Sequence, residues 1–187
     1  MKNPVFRRAA GFTLIELLVV IVIIAVLAAA GFAAGNAALQ RARRTKALSA
    51  ATAMDQAITL FYSEYASMPV VEADDVEKDT VTDGPELLAI LLGKESETAD
   101  PLLNTRGIKF LDVKATNSTK DGIRYDDDDD GAPLALYDPW GGSYKVMMDV
   151  DGDEKIMVDG KELFGRRVAT WTLGAEKNDP SDDVKTY

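Results

Sequence analysis

Hydrophobic and polar positions divide the chain into contrasting regimes. From Phe12 to Ala34 apolar residues run almost unbroken, with Glu16 as the one charge and no proline. These 23 residues are enough to cross a hydrocarbon layer of about 30 Å as a single helix. A helix is how one lone segment satisfies its backbone polar groups in lipid. Further on the apolar run gives way to a stripe. Ala47, Ala51, Met54, Ile58, Phe61 and Tyr65 follow one another at intervals of three and four, one face of a helix. That helix is expected to end near Ser67, ahead of Met68-Pro69. Counted from Phe12 it is roughly 56 residues, or about 84 Å at the usual rise.

After the helix the pattern becomes irregular and then alternates. Glu72–Asp83 is acidic and reads as exposed. Pro85–Gly93 reads as a short helix, with proline at its first turn and glycine past its end. Asn104–Leu111 suggests a turn leading into a short extended piece, and the five acids Asp126–Asp130 a solvated loop. Strand signals dominate the end of the chain: Tyr144–Val150, Lys155–Val158, Lys161–Phe164 and Arg167–Leu173, with Asp159-Gly160 as a tight turn. Such short strands need a partner surface, so a small antiparallel sheet is expected to lie on the helix stripe. The segments are 1–11 as a leader, 12–35 and 36–67 as the apolar and amphipathic halves of the helix, 68–133 as a variable connection, and 134–187 as a sheet head with a terminal loop.

Charge narrows the function classes. The chain has 187 residues, 21 basic and 31 acidic, for a net charge of −10. That excess of acids argues against a nucleic-acid surface, which needs a basic stripe. There is no cysteine and no histidine. Disulfides, a Ser-His-Asp triad and His-ligated zinc are therefore excluded. No nucleophile motif and no phosphate-binding glycine loop stands out, so the chain does not read as an enzyme. Lys2, Arg7 and Arg8 precede the apolar run and Arg41, Arg43, Arg44 and Lys46 follow it, which leaves the positive-inside rule close to a tie. The second basic cluster suits anionic headgroups, acids of a neighbouring subunit, or a plain solvated face.

The position of Glu16 carries the chemistry. A carboxylate in an apolar span is a functional-site candidate by default, and a buried charge needs a partner. Cleavage after Gly11 would leave Phe12 with a cationic α-amine. Glu16 lies one helical turn away, or within reach of the amine of a staggered neighbour. The arrangement reads as an assembly lock. Two blander readings stand beside it: a secretory signal cut near Ala28-Ala29-Ala30, and an uncleaved single-span anchor.

The basic leader followed by Gly11-Phe12-Thr13-Leu14-Ile15-Glu16 resembles the start of type IV pilins and of the pseudopilins of type II secretion systems. A second segment, Asp138-Pro139-Trp140-Gly141-Gly142-Ser143-Tyr144, is similar to the Asp-Pro-Trp-Gly-x-x-Tyr stretch of major pseudopilins. Physically it sets a turn, offers Trp140 as a large buried anchor and lets the chain reverse at the glycines. The resemblance implies an α+β, pilin-like fold, with a long N-terminal membrane-spanning helix packed on a small antiparallel sheet head. It also implies cleavage between Gly11 and Phe12, N-methylation of Phe12, an inner-membrane location with the head in the periplasm, and assembly through Glu16. The family usually has proline where Ala33 stands; Gly31 and Gly35 flank it and weaken the helix by about 1 kcal/mol each.

Two acidic groups are candidate calcium sites. Asp149, Asp151 and Asp153 alternate, with Asp159 beyond, but Gly152 and Gly160 fall at the wrong places for an EF-hand. The C-terminal run Leu173–Val184 is similar to the calcium loop of major pseudopilins. That implies Ca2+ held by the Leu173 carbonyl and by Glu176 with Asp182 or Asp183, although Glu176 and Lys177 depart from the usual Asp-Gly. The expected function is a structural subunit of a periplasmic pseudopilus. Its partners would be like subunits and minor pseudopilins, a prepilin peptidase, an inner-membrane assembly platform, a cytoplasmic ATPase and membrane lipid, without nucleic acid. The alternatives are a type IV pilus pilin for adhesion, motility or DNA uptake, and a calcium-binding module, anchored or secreted, that does not polymerise.

Overall fold

A computed structural model describes residues 12–70, 80–81, 84–96, 98–126, 131–158, 160–176 and 178–187. The leader with Gly11, most of the Glu72–Asp83 stretch, four of the five acids at 126–130, Asp159 and Lys177 lie outside the described residues. The architecture is α+β, a long N-terminal apolar helix followed by small antiparallel sheets, as the pilin-like expectation required.

Helix α1 runs Leu14–Tyr65, two residues short of the expected stop. The chain divides into two compact units, up to Arg41 and from Ala42 onward. In the first unit the apolar residues from Phe12 to Phe32 all stand exposed. Nothing in water rewards that surface, so it requires lipid or other helices around it.

The second unit is built on the α1 stripe. Ala47, Ala51, Met54, Ile58 and Phe61 are fully buried, and Tyr65 is half-buried against them. The intervals of three and four bring them to one side, where they meet Leu88 and Leu91 of α2 (Pro85–Leu92). Gly93 ends α2 in the left-handed conformation, with φ 66°. Its N–H and that of Lys94 return to the Ile90 and Ala89 carbonyls.

The strands form three groups. The main sheet has the order β1 (Thr80–Val81), β4 (Lys145–Met148), β7 (Val168–Thr172), β8 (Val184–Lys185), all antiparallel. Strands β2 (Gly122–Tyr125) and β3 (Pro133–Tyr137) pair separately, and so do β5 (Lys155–Val158) and β6 (Lys161–Phe164). The single sheet expected from the pattern is thus a sheet with two accessory pairs, and β1, β2, β3 and β8 were not anticipated.

Alternation explains how β4 and β7 serve two cores at once. Val146, Met148 and Val168 join the cluster on α1, whereas Met147, Ala169 and Trp171 join Ile156 and Val158 of the β5–β6 hairpin. The sheet therefore lies between α1 and the hairpin. Trp171 is the tryptophan that anchors a core, with 1% exposure. Trp140, expected in that role, is half-buried at a turn surface; its indole N–H is sealed without a protein acceptor.

Candidate functional site: the helix start and the acidic turns

Phe12 is 80% exposed and lies one residue ahead of Thr13, the residue before α1. Thr13 caps the helix. Its N–H and its hydroxyl donate to Glu16 Oε2 at 2.8 and 2.7 Å, and the Glu16 N–H donates to Thr13 Oγ1 at 3.3 Å. This is a reciprocal capping box, which satisfies two donors that a helix start otherwise leaves orphaned. Thr and Glu at an interval of three, ahead of an apolar run, were visible in the sequence as such a box. The pattern reading assigned Glu16 an assembly role and passed over Thr13. The geometry shows how the carboxylate is tolerated within one subunit: its own backbone already solvates one oxygen.

Asp138 organises the turn between β3 and β4. It is completely buried. Its Oδ1 accepts the N–H groups of Trp140, Gly141 and Gly142 at 2.8, 2.7 and 2.8 Å. Its Oδ2 accepts the Thr172 hydroxyl of β7, so one carboxylate joins the turn to the sheet. Gly141 has φ 98°, and a Cβ on Gly142 would meet Asp138 Oδ2 at 2.8 Å. Both glycines are therefore required by conformation or by close approach. Next along the chain, Tyr144 is buried with its hydroxyl 3.4 Å from the Ala47 carbonyl. Burial pushes its phenol pKa far upward, and the Asp138 charge adds to the shift.

Two of the basic residues after the apolar run have partners within the second unit. Lys46 pairs with Asp121 at 2.8 Å and Arg44 donates to the Asp183 carbonyl at 3.2 Å. The Lys46–Asp121 pair is solvent-accessible and is worth at most about 1 kcal/mol. About three turns further along α1 than Arg44, Asp55 accepts the Thr170 hydroxyl from β7. Burial raises its pKa, partly offset by the hydroxyls of Thr170 and Thr186 and by the Arg166 charge.

Among the described residues, one group of three carboxylates converges: Asp149, Asp151 and Asp153, with oxygens within 4.8 Å of one another. Their oxygens already serve local N–H groups. Asp149 receives those of Gly152 and Glu154, Asp151 that of Asp153, and Asp153 that of Lys155. Glu176, Asp182 and Asp183 do not form such a group. Glu176 is exposed. Asp182 Oδ2 accepts the N–H groups of Ala175 and Glu176 at 2.5 and 3.0 Å. Asp183, with 8% exposure, is paired through Oδ2 with Lys185 at 3.0 Å. Leu173 is half-buried between β7 and this loop. A divalent cation needs several oxygens at 2.3–2.6 Å, and an ammonium beside one of them opposes its approach. In this arrangement Oδ2 of Asp182 and Oδ2 of Asp183 are already engaged within the chain.

Residues 6–32 match the family described as the prokaryotic N-terminal methylation motif. No curated protein and no solved structure matches the chain. The motif is that of a type IV pilin-like precursor, a structural rather than catalytic class. It implies processing by a prepilin peptidase and assembly with other pilin subunits. With the single apolar helix it fits anchoring in an inner membrane.

Proposed function

We propose that this chain is a pseudopilin-type subunit, cut after Gly11, methylated at Phe12 and polymerised into a periplasmic pseudopilus of a type II secretion system. The observation that carries the reading is a prepilin-type motif opening a helix whose apolar side chains from Phe12 to Phe32 stand exposed. Such a helix is built to be surrounded by lipid and then by its own kind. The likeness of Asp138-Pro139-Trp140-Gly141 to the major pseudopilin segment supports the secretion subtype; in this chain it forms the turn into the main sheet.

In the proposed mechanism, release of the leader exposes the Phe12 α-amine, and Glu16 of one subunit pairs with the amine of the next. Two charges that are each costly in hydrocarbon are relieved together. Glu16 has one oxygen on its own Thr13, so the carboxylate remains oriented toward the helix start while its partner arrives. Acidic heads face outward in the periplasm, and the growing fibre acts as a piston or scaffold for cargo.

Mass spectrometry of the N-terminal peptide from native membranes, combined with Glu16→Ala, tests this. The expected result is a methylated peptide beginning at Phe12, with Glu16→Ala inserted in the membrane but absent from fibres and defective in secretion. A start near Gly31, an intact leader, or unimpaired assembly of Glu16→Ala refutes the mechanism. Loss of motility or adhesion with intact secretion would transfer the subunit to a type IV pilus.

A further inference from the structure

The segment 173–183 carries Glu176, Asp179, Asp182 and Asp183 within eight residues, yet its two ends are brought together as β8 pairs with β7. Crowded carboxylates repel, so something must hold the loop closed. Asp182 is the first holder: it grips the Ala175 and Glu176 N–H groups, drawing both ends of the loop together. Gly174, with φ 69°, makes this possible, since a Cβ there would run into the Asp182 carbonyl oxygen and lie 2.7 Å from Oδ2. The second holder is a set of fixed cations. Lys185 pairs with the buried Asp183 carboxylate, and Arg44 donates from α1 to the Asp183 carbonyl. Arg166 donates to the Thr186 carbonyl at 2.9 Å, and Thr186 closes onto Thr170 through N–H···O bonds in both directions, 3.1 and 3.0 Å. Backbone N–H groups thus engage Asp182 Oδ2 and the Lys185 ammonium engages Asp183 Oδ2, one oxygen of each carboxylate that a metal ion would need.

We propose that the C-terminal loop is latched without a divalent cation, by Asp182 on the Ala175 and Glu176 N–H groups and by the Lys185 ammonium on Asp183. The latch is part of the covalent chain, so the terminal strand β8 stays on β7 whatever the free calcium concentration around the head. It rests only on this chain's own residues and survives if the secretion reading fails.

The test is thermal unfolding of the full-length protein in detergent, followed by tryptophan fluorescence, in calcium and in excess EDTA. Because Asp149, Asp151 and Asp153 converge elsewhere, the same pair of conditions is run on Asp151→Asn/Asp153→Asn. The expected result in that background is one midpoint in both conditions. Lys185→Met lowers the midpoint by several degrees, and Lys185→Arg recovers it. A midpoint that EDTA lowers in that background and calcium restores would overturn the latch, as would a Lys185→Met protein as stable as its parent. Should Lys185→Met not fold, proteolysis of the loop in the Asp151→Asn/Asp153→Asn protein decides: equal cleavage rates with and without EDTA support the latch, and faster cleavage in EDTA overturns it.

Discussion

Replacing Asp138 tests the head's most connected side chain. Asp138→Ala removes three N–H···carboxylate bonds and the bond from Thr172. Hydrogen bonds to a charged acceptor contribute about 1.5–3 kcal/mol each. The three turn N–H groups are only partly buried, and the Gly141 N–H retains the Asp138 carbonyl at 3.2 Å, so water and backbone recover much of the loss. The Thr172 hydroxyl, fully buried on β7, does not recover. A net destabilisation of about 3–5 kcal/mol follows, within the range of broken buried networks. For a head of this size that lowers the midpoint by roughly 8–15 °C. Asp138→Asn should be much milder, about 1–2 kcal/mol, because its amide oxygen still accepts the three N–H groups and its NH2 can donate to a rotated Thr172 hydroxyl. Denaturant unfolding followed by tryptophan fluorescence reads both ends of the network, since the chain's two tryptophans lie in the turn and in the core behind β7. If Asp138→Ala costs less than about 1 kcal/mol, or no more than Asp138→Asn, the carboxylate is not what holds the turn to the sheet.

Further consequences follow from the same packing. Phe61 is fully buried, 4.7 Å from the Tyr65 ring and 5.5 Å from that of Phe110; Phe61→Ala should destabilise the head by about 3–5 kcal/mol, while the neighbouring exposed Leu60→Ala leaves the monomer's unfolding midpoint nearly unchanged. Asp55 has a pKa raised above the ordinary value of 3.8, so the native state holds the proton more tightly than the unfolded chain and the charge opposes folding at neutral pH. Asp55→Asn should therefore be more stable than the parent at pH 7, with an advantage that shrinks as pH falls through the raised native pKa toward 3.8 and levels off below it; an advantage constant with pH would contradict the assignment. Gly93→Ala forces a Cβ to 2.5 Å from the Gly107 carbonyl at positive φ, and a midpoint drop of several degrees is expected from the combined strain and clash.

What the sequence made legible was what depends on near neighbours. The α1 stripe, the Pro85–Gly93 helix and the β5–β6 hairpin follow from periodicity and from glycine and proline at fixed offsets, and the structure contains all three. The capping box was equally local, carried by Thr13 and Glu16 three residues apart ahead of the apolar run. What escaped depends on contacts across the fold. Strand β8 has two residues, too few for any pattern, and exists because β7 offers an edge. Nothing within five residues of Asp138 announces Thr172. Nothing near Trp140 or Trp171 says which is covered, since that depends on which face of β7 receives the hairpin. For the terminal acids, Lys185 was in plain view, but its pairing with Asp183 depends on the β8 strand bringing residues 183 and 185 to one side.

The uncovered apolar surface of α1 makes the membrane and a bundle of sister helices nearly equivalent solvents. A leucine side chain gains little on moving from lipid tails to other leucines, because both surroundings are equally apolar. Over the whole segment the transfer is then close to balanced, unlike the burial of the same residues from water at about 25 cal/mol per Å2. In a near-balanced transfer one polar residue tips the scale, and in this segment that residue is Glu16. Growth and dissolution of such a fibre would both proceed on small free-energy differences, so a modest external push sets the direction. A helix that sheltered its apolar side chains within its own subunit would forfeit that reversibility.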